Sequence, residues 1–441
     1  MRTRLSVPRP PGFLKHLLTF LEKQDLGMCF SGSGWNTDAE YFAGFGAIER
    51  FDGRHVNEAI AFCEHHADYL FCHLSYDTKN HIEALHTQCK DHMGFPMYSF
   101  FVPALVIEVQ GETVDLLYHP HRSSEEEVRA HFTTITDQIS DTSINAQLGK
   151  AFRHIHKSQY LRDIGSLKQH IQRGDVYQGN YCQEFLWEKT EVNGDELFGY
   201  GFERMPNPFS VFYRNGQHSL LSFSPERFLR FEGNSVTSQP MKGTAPRHDD
   251  PAIDLEHKMA LRNSEKDRRE NVMIVDLVRN DLSRYAVPGS VIASDLYTIE
   301  TYPRVHQMHS TVRAEMRSGV HPLRVLLGAF PMGSMTGAPK IRAMQILDEL
   351  EHSRRGVYSG TVGFFKPNGD GDFNVIIRSL VVNKKDKLLS CHAGGGITAL
   401  SDPEAEYEES LVKARPIFDL VEEYFDKFSS ALPLTDEAET S

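Results

Sequence analysis

Ser210-Val211-Phe212-Tyr213-Arg214-Asn215-Gly216-Gln217-His218-Ser219-Leu220-Leu221-Ser222-Phe223 is the stretch on which the fold class turns. Two runs rich in aromatic, aliphatic and β-branched residues flank Asn215-Gly216, a pair that tolerates positive φ and so closes hairpins. Upstream, Leu161, Ile164, Leu167, Lys168 and Ile171 recur at helical spacing and stop at Gly174-Asp175. The run from Val176 to Phe185 then reads as a strand. Helices interleaved with hairpin-linked strands predict an α+β architecture with largely antiparallel β-sheets.

Around this centre the 441 residues divide by motif density. Residues 1–145 read as an N-terminal subdomain of mixed strands and helices without a chemical motif. The polar run Asp141-Thr142-Ser143-Ile144-Asn145 is a connector into a catalytic domain over 146–428, and 429–441 is a small, polar, acidic tail expected to fray. Charged residues at 24% and hydrophobic ones at 40% fit an ordinary soluble protein. No apolar run reaches the ~20 residues of a membrane span, and the N-terminus lacks a secretory apolar core, so a cytoplasmic location is expected. A net charge of −13 argues against nucleic-acid binding, and it leaves any anionic substrate to be captured by local cations.

The six cysteines (Cys29, Cys63, Cys72, Cys89, Cys182 and Cys391) form no CxxC pair, as expected of reduced thiols. Residues Cys63 to His92 gather metal-ligand types without finger-like spacing. They read as a strand, Tyr69 to Leu74, followed by a loop and a helix with histidines on its wet face.

Lys242 lies in Pro240-Met241-Lys242-Gly243-Thr244-Ala245-Pro246, where a bare Gly lets the backbone approach a ligand. Low dielectric or a neighbouring cation would make its amine a nucleophile; alone, the run reads as a surface loop. Ser401-Asp402-Pro403-Glu404 starts a helix, with Ser401 as cap and Glu404 completing a capping box. Glu406 and Glu409 then share a face, and Lys413 follows one turn on. Glu270 adjoins the apolar run Val272-Met273-Ile274-Val275, so its segment is half-buried and its carboxylate needs a cation or hydrogen bonds. Hard oxygens of this kind suit Mg2+. The loop Gly333–Lys340 lacks the Gly-Lys-Ser/Thr ending of a nucleotide-binding P-loop.

Seven further motifs accompany the Lys242 run in fixed order: Ser224-Pro225-Glu226, the segment Arg269 to Asp281, Gly333-Ser334-Met335-Thr336-Gly337-Ala338-Pro339-Lys340, Arg354-Arg355-Gly356-Val357-Tyr358-Ser359-Gly360, Ile376-Ile377-Arg378, Ala393-Gly394-Gly395-Gly396-Ile397, and Ser401 to Glu409. In this order and spacing, dense from about 150 to 420, they resemble the chorismate-utilising enzymes. The resemblance implies paired sheets flanked by helices with the active site between them. It implies Glu270 and Glu409 as Mg2+ ligands, with Glu406 in or beside their shell, and chorismate as substrate. Arg378, expected on an apolar strand, would grip one carboxylate of that dianion. Gly243, Thr244, Tyr358, Lys413 and the amides of Gly394, Gly395 and Gly396 match further substrate contacts.

Within the family, lysine at the position of Lys242 is typical of the aminodeoxychorismate synthase component I branch, where anthranilate and isochorismate synthases usually carry alanine. The implied chemistry is attack by Lys242 on the ring, loss of a hydroxyl protonated by Glu226, and displacement of the enzyme amine by ammonia. The product would be 4-amino-4-deoxychorismate, on the route to p-aminobenzoate and folate. Counted from Glu270, Gln307 falls where anthranilate synthases carry a histidine linked to pyruvate loss, with His306 and His309 flanking it. A glutamine at that site predicts a product that keeps its enolpyruvyl group. No cysteine sits in a Gly-x-Cys-x-Gly turn, so the resemblance implies a separate glutamine amidotransferase subunit as ammonia donor. Anthranilate synthase component I and a non-catalytic chorismate-binding subunit are the alternatives; Lys242, Glu226, Glu270 and Glu409 together argue against the latter.

Overall fold

The computed structural model describes residues 1–428 except 54, 57, 139–145, 150, 154 and 303–304. The connector at 141–145 and the tail at 429–441 therefore lie outside the described residues. Two large sheets carry the chain, and every pairing among their strands is antiparallel.

The first sheet runs from Thr3–Pro8 at one edge through Leu26–Ser31, Phe209–Asn215, His218–Ser224, Ser379–Asn383 and Leu388–Ile397 to Gln178–Glu188 and the two-residue Gly337–Ala338. The second runs from Met241–Pro246 through Val305–Glu315, Arg227–Glu232 and Thr361–Phe365 to Glu49–Phe51. Aromatic side chains from both sheets meet between them: Phe42 and Phe364 have ring centroids 4.7 Å apart, and Phe30 and Phe71 are 5.2 Å apart. Helices Phe13–Glu22, Gly194–Arg204 and Pro403–Phe428 bury their apolar stripes on the first sheet. Glu265–Ser283 and Pro322–Ala329 do so on the second. Strands from before residue 145 pair directly with later ones, Leu26–Ser31 with Phe209–Asn215 and Leu70–Leu74 with Thr361–Phe365. The sequence boundary near 145 is thus not a boundary between sheets.

Local signals fared unevenly. The helix expected around Leu161–Ile171 spans Lys157–Arg173 and ends on Gly174 at φ 82°, where the Asp175 amide bonds back to the His170 carbonyl. The strand after it begins at Gln178. In the hairpin, Asn215 pairs with His218, so the turn residues are Gly216 and Gln217, one position beyond the expected pair. Gly216, at φ 58°, takes the left-handed turn position.

The start of the Pro403–Phe428 helix also needs correction. Asp402, not Ser401, caps it, accepting the Ala405 amide at 2.9 Å. Ser401 Oγ turns back to the Thr398 amide, and Glu404 pairs with Lys157 at 2.6 Å instead of closing a capping box. Among the described residues no helix is long and apolar enough to cross a membrane.

Candidate active site

The glycine-rich end of Leu388–Ile397 runs beside the first turns of Glu265–Ser283 and Pro403–Phe428, and Met241–Pro246 brings Lys242 against it. Gly396 permits this approach: a Cβ there would stand 3.0 Å from Lys242 Nζ and 4.0 Å from Glu270 Oε2. A Cβ on Gly395 would lie 3.3 Å from Glu406 Oε2 and 3.6 Å from Lys413 Nζ. Lys413 donates to the Gly394 carbonyl at 3.2 Å and pairs with Glu409 at 2.8 Å, the one-turn spacing expected from sequence. Lys242, Glu270, Glu406, Glu409 and Lys413 therefore line one glycine strand.

Lys242 sits on a bulge. Met241 pairs with His309 and Thr244 with Gln307, so Lys242 and Gly243 together stand opposite Met308. Gly243 takes φ 89° there, with Asp267 3.0 Å from where its Cβ would be. The bulge turns the lysine toward the Glu265–Ser283 helix. Burial holds its amine below the ordinary lysine value, opposed mainly by Glu270. Thr244, two positions beyond the lysine, is exposed.

Glu226 is buried at 4% exposure, and burial pushes its carboxyl up to about 7 against the pull of Ser334, Lys242 and Arg378 nearby. Arg378 is not on a strand. It occupies the break between Gly371–Asn374 and Ser379–Asn383 in a left-handed conformation at φ 49°. That turn aims the guanidinium at Tyr302 and Glu226, and burial lowers its pKa. A bulky residue held in that region stores strain, which tertiary contacts must offset. Tyr358 is buried behind the glycine strand, its ring stacked on His392 with centroids 5.1 Å apart and its hydroxyl toward Cys182. Cys182 is the strand partner of Gly394.

None of the hydrogen bonds or salt bridges among the described residues engages Lys242 Nζ, the Arg378 guanidinium or the Glu270 carboxylate, while Glu226 is held by Ser334 and the Met241 backbone. Enclosed charges normally find partners. Three that lack them, beside a buried acid, form a site shaped for a charged ligand.

Glu270, Glu406 and Glu409 supply hard oxygens of the kind Mg2+ takes. Burial raises Glu270, whereas Lys413 and Lys266 hold Glu409 below the usual carboxylate range despite its burial. Lys266 Nζ lies 4.0 Å from Glu406 and 3.9 Å from Glu409, so a lysine is their present counter-cation. Among the described residues no three His, Cys, Asp or Glu side chains are drawn together as a metal shell. The donor chemistry fits the ion, and the three carboxylates would have to close on it. Lys266 was missed in the sequence, although it stands one helical turn before Glu270.

A buried acid, an unpartnered amine and an unpartnered guanidinium around a glycine strand define an enzyme site for a small anion, set between paired sheets. The chain belongs to the chorismate binding enzyme family, which it matches over residues 29–419. It is 39% identical over 320 residues to aminodeoxychorismate synthase component 1 of Salmonella typhimurium, covering 71% of this chain and 67% of that protein. To the Escherichia coli protein of the same name it is 38% identical, covering 72% and 69%. Anthranilate synthase component 1 of Streptomyces coelicolor is 32% identical over 79% of this chain and 72% of its own length. The fold is like that of anthranilate synthase component I from Streptococcus pneumoniae, with a TM-score of 0.73, 22% identity and coverage of 94% and 92%.

Proposed function

We propose that this chain aminates chorismate to 4-amino-4-deoxychorismate, using ammonia released by a separate glutamine amidotransferase. The observation that carries the reading is Lys242 Nζ, packed against Gly396 with no hydrogen-bond partner and an amine made less basic by burial. Lower basicity leaves more of the amine neutral, and so nucleophilic, at any given pH. The relatives named as component 1 of aminodeoxychorismate synthase favour this branch and, by that name, a second component.

In the proposed reaction Arg378 and the Gly394–Gly396 amides bind the carboxylates of chorismate, and Lys413 orients the strand through the Gly394 carbonyl. Lys242 attacks the ring, and Glu226, protonated near neutrality, gives its proton to the departing hydroxyl. Ammonia then displaces the lysine, which regains its amine. Glu270 and Glu409, with Glu406, would hold Mg2+, which on binding neutralises a carboxylate and draws electron density from the ring. Gln307 stands across from Thr244, near the lysine bulge. An amide there offers no proton shuttle, which agrees with retention of the enolpyruvyl group.

Purified protein incubated with chorismate, Mg2+ and an ammonium salt tests the reading by product mass. The expected product has exchanged hydroxyl for amine and kept its enolpyruvyl group. Anthranilate, which has lost pyruvate, would assign the chain to the other branch. Binding of chorismate without turnover would mark a non-catalytic subunit.

A further inference from the structure

Arg355 and Glu351 form a buried pair outside the chemistry described above. Their exposures are 3% and 8%, and Arg355 Nη2 meets Glu351 Oε1 at 2.5 Å. A buried ion pair is weak evidence for stability, because desolvation cancels much of its attraction. Its partners point elsewhere.

The strand Gln178–Glu188 lies next to the glycine strand: Asn180 pairs with Gly396 and Cys182 with Gly394. On its other side, Gly337–Ala338 accompanies it only as far as Gly179. Ala151–Arg153 takes up that edge again only from Phe185 onward, so between Asn180 and Glu184 no strand bonds its outward backbone groups. Side chains and a loop take over. The Asn180 amide donates to the Thr336 carbonyl at 2.7 Å, and Arg355 Nη2 donates to the Asn180 carbonyl at 2.7 Å. Glu351 Oε1 accepts the Cys182 amide at 3.0 Å. The pair thus replaces the missing strand.

The same guanidinium donates through Nη1 to the Met335 carbonyl at 2.7 Å, fixing the residue after Ser334, which faces Glu226. It also reaches Ser359 Oγ at 3.3 Å, next to Tyr358, and lies 4.3 Å above the Tyr76 ring. One planar fork therefore ties the strand behind Gly394–Gly396 to the loop beside Glu226. Lysine, with a point charge and no fork, cannot hold these acceptors together.

We propose that Arg355, with Glu351, is a positioning residue that sets the depth of the Gly394–Gly396 amides and so the affinity for chorismate. This rests on the proposed function, in which those amides bind the substrate. The test is chorismate binding by calorimetry with Mg2+ and no ammonia, together with steady-state kinetics, on wild type, Arg355→Lys and Glu351→Gln. Glu351→Gln keeps an oxygen for the Cys182 amide and the packing volume, so it reports even where Arg355→Lys does not fold.

We expect the dissociation constant and KM for chorismate to rise about tenfold or more in Arg355→Lys, and by a smaller factor in Glu351→Gln. The KM for ammonia should stay at its wild-type value and kcat should move much less than KM. A purely structural pair would lower the melting temperature and leave KM for chorismate alone; that result in the folded variants overturns the proposal. Wild type that binds no chorismate would instead defeat the functional reading on which the proposal rests.

Discussion

The Lys242 amine lies so close to Gly396 that a methyl group on that glycine would stand 3.0 Å from Nζ. The obstructing atom is the far end of a flexible side chain, so the backbone can accept Gly396→Ala while the lysine gives way. We expect that variant to fold with a melting temperature near wild type, yet to lose about 10- to 100-fold in kcat through displacement of the amine. Gly394 is the contrasting case. Its Cβ would fall 2.2 Å from the Tyr181 carbonyl oxygen, which belongs to the neighbouring strand and cannot move aside. Gly394→Ala should therefore lose stability first. Thermal melts and kinetics on the two variants separate the effects; equal destabilisation would refute the distinction.

Removing the amine is the direct test of its role. Lys242→Ala should keep chorismate affinity within about tenfold while amination falls by about three orders of magnitude, since the loss is confined to the transition state. Product formation followed by mass under saturating ammonium checks this. Turnover within a few-fold of wild type would exclude covalent participation by the lysine.

Much of this site was legible from residue type and spacing, and the failures have physical causes. The Glu409–Lys413 pair and the shared face of Glu406 and Glu409 follow from helical periodicity, and the close approach at Gly395 and Gly396 follows from the absence of a side chain. Arg378 was misplaced because apolar neighbours suggest a strand, while only tertiary contacts reveal a left-handed break at that residue. The Asp402 cap was hidden by Ser401, since both residue types cap helices and choosing between them needs backbone geometry. Nothing in the spacing of Arg355 and Glu351, four residues apart, marks them as a buried pair. Their burial depends on where Gly337–Ala338 stops pairing, a fact about distant segments.

Lys266 bears on metal affinity. Its ammonium lies about equally far from Glu406 and Glu409, at 4.0 and 3.9 Å, so a divalent ion bound there must displace a competing cation. The lysine is largely exposed and its attraction is screened, so the effect should be modest, on the order of two- to fivefold. Lys266→Ala should tighten Mg2+ binding by that factor in calorimetry on the enzyme without substrate, with less dependence on salt. Weaker binding would mean that the lysine preorganises the carboxylates and does not compete with the ion.

Glu226 links stability to pH with the opposite sign from an ordinary salt-bridged carboxylate. Its carboxyl is raised to about 7 in the folded protein, against 4.5 as its ordinary value, so the folded state binds the extra proton. The sign follows. Both states are protonated well below 4.5, and as pH rises from there to 7 the unfolded chain ionises first, so stability falls over that window. The cost in full is about 3 kcal/mol at most. Glu226→Gln cannot ionise and should restore much of it, raising the melting temperature near pH 8 and changing little near pH 5. The same substitution removes the proton donor, so activity should fall by about 10²- to 10⁴-fold. In wild type, kcat/KM should decline on the alkaline side with a midpoint near 7, while Lys242, which must be neutral to attack, sets the acidic limb. A variant less stable than wild type at both pH values would show that the Glu226 carboxylate is satisfied in the folded protein and is not held there under strain for catalysis.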